Sequence, residues 1–234
     1  MVKHFINRVT MTQIYLVEFT YVIIQPSRLG RILKGDFILK GFMVNTQRFN
    51  SNKNWWAYNG QANSPFMGLI HLIDDLVEHF KDQQHSKKMI EIGSYMGEST
   101  FLFGCSGIFH EINAIDPHKG EEPFNDDFNV TWDEVKKEFQ TNIRNFDGII
   151  HWEAFSEDVV DKFEDDIDFI YIDANHSYQS VKKDLQLYLP KIKVNGVIGG
   201  HDYVEPWTGV IDAVNEVIGK PDMVYIDGSW IKYL

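Results

Sequence analysis

From Met89 to the end of the chain, short apolar runs alternate with stretches whose apolar residues recur every third or fourth position. The runs at Met89–Ile92, Glu111–Ile115, Ile149–Ala154 and Ile167–Asp173, with a fifth after a turn at Asn195-Gly196, are too short for helices and read as buried strands. Between them, helical spacing predicts helices at Trp132–Arg144, with Thr131 as N-cap, at Glu157–Phe163, at Gln179–Leu189 before Pro190, and at Gly209–Ile218. Ahead of the first strand, Pro65 opens a helix over Phe66–Lys81, with Leu69, Leu72, Ile73, Leu76, Val77 and Phe80 on one face. At the far end, Met223–Ile226 and Trp230–Leu234 form a hairpin about Asp227-Gly228. Such alternation predicts an α/β fold, doubly wound around a mostly parallel sheet that closes with an antiparallel hairpin.

This pattern begins near residue 65, and the chain divides there: residues 65–234 as the working domain, residues 1–64 as an extension. Within the extension, residues 1–42 carry six basic side chains against two acidic ones, while the whole chain carries a net charge of -12. Its Gln13–Gln25 stretch is dense in β-branched and aromatic residues. It reads as an appended element, an oligomer contact, or sequence ahead of a second start at Met43. Asn45–Ser64 is polar, with Trp55, Trp56 and Tyr58 inside it, and is a candidate lid over a pocket as much as a packing segment.

The acidic balance argues against a nucleic-acid groove, and no apolar run spans a bilayer; the best, Ile14–Ile24, is interrupted by Glu18 and Thr20. One cysteine, Cys105, rules out a disulfide framework, and the expected setting is reducing and cytoplasmic.

Candidate chemistry starts at Glu91-Ile92-Gly93-Ser94-Tyr95-Met96-Gly97, a strand end running into glycines and then a helix. Glycines there let the backbone approach a ligand, and the free N–H groups of the following helical turn point at it. Asp116 ends the second strand about 20 residues after the glycine turn, the spacing of a carboxylate that grips a ribose. The third strand ends at Phe155-Ser156, a place for adenine to rest. Two further strands end in Asp173-Ala-Asn-His176 and His201-Asp202. Asp173, His176, His201 and Asp202 offer oxygen and nitrogen ligands for one divalent cation, with an imidazole left over as a base.

Together these stretches resemble the class I S-adenosylmethionine-dependent methyltransferases, most of all the small-molecule O-methyltransferase branch that includes macrolide sugar methyltransferases. The resemblance covers residues 66–234 and implies a Rossmann-like fold. It implies that Glu91 contacts the methionine amine, that Gly93, Ser94 and Gly97 line the cofactor, that Asp116 binds the ribose, and that Phe155 and Ser156 flank adenine. It further implies that Asp173, beside the cofactor, holds Mg2+ or another divalent cation with His201 and Asp202, and that His176 is the general base. Related metal-dependent enzymes carry an acid or amide where this chain has His201, which leaves His201 either a ligand of a different cation or a residue behind Asp202. The expected activity is methyl transfer to a hydroxyl of a small molecule, a sugar or polyketide among the candidates. Metal-free transfer on the same fold and a non-catalytic cofactor-binding module are the alternatives.

Overall fold

A computed structural model describes residues 67–83, 86–120 and 131–234. The aromatic cluster at Trp55–Tyr58, the acidic loop Glu121–Val130 and the boundary at residue 64 lie outside them.

Helix α1 (Met67–Phe80) leads into β1 (Lys87–Ile92), α2 (Glu98–Ser106), β2 (Phe109–Ile115), α3 (Trp132–Ile143) and β3 (Ile149–Trp152). Then come α4 (Ser156–Val159), β4 (Ile167–Ile172), α5 (Tyr178–Tyr188), β5 (Ile192–Gly200), α6 (Thr208–Val217), β6 (Met223–Val224) and β7 (Trp230–Tyr233). The strands form one seven-stranded sheet in the order β3-β2-β1-β4-β5-β7-β6. β1 to β5 pair in parallel, whereas β7 runs antiparallel to both β5 and β6. The expected doubly wound sheet and its antiparallel closure are both present.

Each face of the sheet carries its own core. One packs Ile90, Ile92, Ile170, Ile172, Ile198 and Trp230 under Val181, Leu185, Val210 and Val214 of α5 and α6. The other packs Met89, Phe169, Tyr171, Val197 and Ile231 under Leu69, Leu72, Leu76, Leu102 and Phe103 of α1 and α2. A central strand buried on both faces is apolar almost throughout, which is why β4 reads as a run broken only by Asp168 near its start. Thr131 caps α3 as expected, in a capping box with Glu134.

The differences from expectation are local. Val77 lies outside the apolar stripe of α1 and is 45% exposed. The Asn195-Gly196 turn is instead an irregularity within β5: Asn195 adopts φ 63° and the β4–β5 register shifts there. The helix expected at Glu157–Phe163 starts one residue early and tightens to a 3-10 turn at Val160–Lys162. Among the described residues, no helix is long and apolar enough to cross a membrane.

Candidate active site

In a parallel sheet, ligands gather at the carboxyl ends of the strands where the strand order reverses. Here the order reverses between β1 and β4. The residues that leave those two strands meet directly: Asp173 N–H donates to Ile92 O (2.8 Å), and Gly93 N–H donates to Ile115 O across the other side (2.9 Å). Gly93 sits at φ 89°, with Asp173 O only 2.1 Å from where a Cβ would be. Gly97, at φ 81°, is the N-cap of α2 and offers no side-chain cap, so the first N–H groups of that helix stay available.

Three buried polar atoms around this turn have no hydrogen-bond partner: Glu91 Oε1, Ser94 Oγ and Glu98 Oε1. Orphaned buried groups are uncommon in folded proteins, and three on one turn make it a candidate ligand site. Glu91 is fully buried and takes a short hydrogen bond from the Thr100 hydroxyl. Burial pushes its carboxyl up to about 7, against the hydroxyls of Ser99 and Thr100 and with the help of nearby Asp173 and Asp116. The unfolded chain gives up this proton near pH 4.5 whereas the folded chain holds it to about 7. Stability is therefore lost as pH rises through that window, by about 3 kcal/mol once both states are ionised. Glu91→Gln is expected to raise the melting temperature of the ligand-free protein at pH 8 and to change it much less at pH 5. A thermal melt at the two pH values checks this, and equal shifts at both would contradict it.

Asp116 is buried and braces the turn. Its Oδ2 accepts from Tyr95 N–H (2.8 Å) and its Oδ1 from His118 N–H (2.7 Å). Each oxygen keeps a second lone pair for a ligand hydroxyl. His118 adds a contact from its Nε2 to Tyr95 O (2.9 Å), so both loops are held as one unit. Phe155 is 39% exposed, with the Lys119 ammonium 5.2 Å from its ring centre. Ser156 is engaged inward: its hydroxyl donates to Asp184 Oδ1 (2.5 Å), and its carbonyl accepts from the Tyr188 hydroxyl (2.7 Å). An adenine at this position would meet the Phe155 ring and backbone groups before it met that hydroxyl.

The second cluster lies where β4 and β5 end. Ligand atoms of Asp173, His201 and Asp202 all fall within 4.8 Å of one another. His176 Nε2 is 2.9 Å from Asp202 Oδ2 and 3.8 Å from Asp173 Oδ1, and His201 Nδ1 is 3.3 Å from Asp202 Oδ1. Asp202 adopts φ 59°, a left-handed conformation that Asp tolerates better than most residues, and it turns the chain sharply after β5. Tyr203 N–H donates to Gly228 O (2.9 Å) and secures that turn against the β6–β7 connection. Burial opposes the charged form of His176, but hydrogen bonds to Asp173 and Asp202 outweigh it and raise the imidazole to about 10. His201 is raised to about 9, again against its burial, by the charges of Asp173 and Asp202. Asp202 is held well below the usual carboxylate range: burial works against its charge, and the two imidazoles prevail. Three donors with two carboxylates and one imidazole suit a divalent cation, and the nitrogen favours a borderline ion such as Zn2+, Mn2+ or Fe2+ beside Mg2+.

Two neighbours carried no distinguishing sequence signal. Trp207 packs on His176, ring centres 4.5 Å apart. Glu98 is an acid in the first turn of a helix, a common dipole complement, and only its burial sets it apart. Cys105 is partly buried, and burial pushes its thiol up to about 12, far from nucleophilic use.

Residues 90–203 match a family model described as a methyltransferase domain. An uncharacterized protein of Acanthamoeba polyphaga mimivirus is 27% identical over 154 residues, 64% of this chain and 66% of its own length. Across the curated relatives it matches, the chain spans between 13% and 66% of their length. Among solved structures, the O-methyltransferase NovP superposes with a TM-score of 0.55 at 18% identity, over 74% of this chain and 83% of NovP. An O-methyltransferase from Bacillus cereus in complex with S-adenosylhomocysteine gives 0.53 at 16% identity, over 87% and 92%. The glycine turn, Asp116, Asp173 and Asp202 all lie inside the span that matches the methyltransferase-domain model, and the fold is the Rossmann-like one of these solved O-methyltransferases.

Proposed function

We propose that this protein transfers a methyl group from S-adenosylmethionine to a hydroxyl of a small molecule, with a divalent cation at Asp173, His201 and Asp202 and with His176 as general base. The observation that carries the reading is the convergence of those four side chains beside a glycine turn ringed by orphaned polar atoms. S-adenosylmethionine supplies a methyl group on a sulfonium, an electrophile that needs only an oxygen nucleophile in line. Its ammonium fits Glu91, its carboxylate fits the open N–H groups of α2 and Ser94, and its ribose fits Asp116. A divalent cation supplies Lewis acidity, which lowers the pKa of a hydroxyl held beside it.

His176 takes the proton at Nε2. Asp173 and Asp202 stabilise the imidazolium so formed, which favours transfer whenever His176 starts neutral. The same two carboxylates are the cation's ligands, so a cation and a proton on His176 compete for them. Trp207 packs against the imidazole at a tilt of 54°. The acceptor is a small molecule in this reading, since the net charge of -12 gives no electrostatic hold on nucleic acid.

A metal-free variant of the reaction has one observation in its favour: His176 and Asp202 already form a hydrogen-bonded pair at 2.9 Å. Incubation with labelled S-adenosylmethionine and a panel of sugars, polyketides and catechols, with and without EDTA, separates the readings. Methylated product that disappears with EDTA and returns with Mg2+ or Mn2+ is expected. Product that survives chelation would replace the cation with the His176–Asp202 pair, and absence of product with every acceptor would remove the transferase reading.

A further inference from the structure

Glu98 has no place in the roles assigned so far. It is the first residue of α2, directly after Gly97, and only 7% exposed. Acids at helix starts normally face water: in the first turn of α3, Asp133 and Glu134 are both exposed. Glu98 is buried instead, and its Oε1 has no partner. Among the described residues, the charged groups that act on it are Glu138 and Asp173, both acids. A buried carboxyl among carboxylates costs free energy, and its natural complement is a cation brought by a ligand. The uncapped N–H groups of α2 start at this same residue, and the orphans Glu91 Oε1 and Ser94 Oγ belong to the same strand-to-helix turn, so acceptors and donors for a ligand occur together there. That is the complement of a zwitterionic α-amino acid head.

We infer that Glu98 is a carboxyl for the ammonium at the amino-acid end of the cofactor. The inference rests on the proposed use of S-adenosylmethionine. Burial, then the charges of Glu138 and Asp173, push the Glu98 carboxyl up to about 8, so it is largely protonated at pH 7 before the ligand arrives. Engagement of the ammonium ionises it: the O–H bond breaks, the proton leaves to solvent, and the carboxylate stays with the ligand's cation.

Calorimetric titration of the full chain with S-adenosylhomocysteine and with 5'-methylthioadenosine, which lacks the amino-acid head, tests this. Glu98→Gln should weaken S-adenosylhomocysteine at least tenfold, leave 5'-methylthioadenosine within twofold, and reduce the proton release measured in buffers of different ionisation heat. Glutamine copies the neutral resting side chain, so the variant should melt at or above the wild-type temperature. Should it not fold, Glu98→Asp keeps the charge on a shorter arm and should show a smaller loss confined to S-adenosylhomocysteine. Unchanged S-adenosylhomocysteine affinity, or equal loss for both ligands, would overturn the role of Glu98 alone. Failure of the wild type to bind either ligand would overturn the cofactor reading and this inference with it.

Discussion

Asp173→Asn and His176→Ala are expected to lower the methyl-transfer rate by about 10²- to 10⁴-fold each, the range for losing a positioned acid–base group. They should fail for different reasons. Asp173 stands 3.8 Å from His176 and within 4.8 Å of the His201 and Asp202 ligand atoms, so in the proposed reaction its charge would serve both the cation and the imidazolium. The amide keeps the shape but removes that charge, and both cation binding and proton transfer suffer. His176→Ala removes only the proton acceptor. The cradle around Gly93, Gly97 and Asp116 is built from other elements, so S-adenosylhomocysteine affinity should stay within a few-fold of wild type. Because the two residues act on one proton, the double variant should be hardly worse than either single one. Rates measured with saturating cofactor, alongside cofactor titrations, check all of this. Near-normal turnover in either single variant would detach the β4 end from the chemistry.

The second large effect is expected from the smallest change. Gly93→Ala adds one methyl group at φ 89°, where its Cβ would stand 2.1 Å from Asp173 O, 2.5 Å from Asp173 C and 2.7 Å from Ala174 Cα. Every obstructing atom is backbone, so no side chain can swing aside. The left-handed conformation alone costs a residue with a Cβ about 1–2 kcal/mol, and overpacking adds about 1–3 kcal/mol. A destabilisation of about 3 kcal/mol or more lowers the melting temperature by roughly 6–12 °C in a domain of this size. To relieve the clash, the β1 and β4 ends must part, which pulls Asp173 from Asp202 and opens the cofactor turn. Gly219 supplies the control. It also has positive φ (78°), but nothing lies within 4 Å of its Cβ position, so Gly219→Ala bears the conformational cost alone. If the two variants melt together, the close approach of β1 and β4 is not what makes Gly93 necessary.

Much of this architecture follows from local order along the chain. Buried parallel strands are mostly apolar on both faces, so β1, β2 and β4 announce themselves as runs, and Thr131 with Glu134 writes a helix start in four residues. Strand-end acids were visible for the same reason: a polar residue that closes an apolar run lies at an edge of the sheet, and parallel strands put all those edges on one side. Asp116, Asp173 and Asp202 stood out by that logic, Asp116 also by its spacing from the glycine turn. The irregularity at Asn195 was not, because Asn-Gly reads as a hairpin turn unless a neighbouring strand is there to absorb the extra residues.

Charge states and orphaned atoms belong to a different level. Nothing in the letters distinguishes Glu98 from Glu134: both are acids in the first turn of a helix, and only packing buries one and leaves the other in water. Likewise Ser156 reads as a free hydroxyl until α5 brings Asp184 to within 2.5 Å of it. His176 reads as a free base until β5, 26 residues on, delivers the Asp202 carboxylate that holds its proton. Sequence by itself determined which elements form and which side chains finish them, because hydrophobic period, caps and glycines act within a few residues. The tertiary structure alone decided which of those side chains share a dielectric, a proton or a missing partner, because these depend on distances between strands that the chain order does not contain.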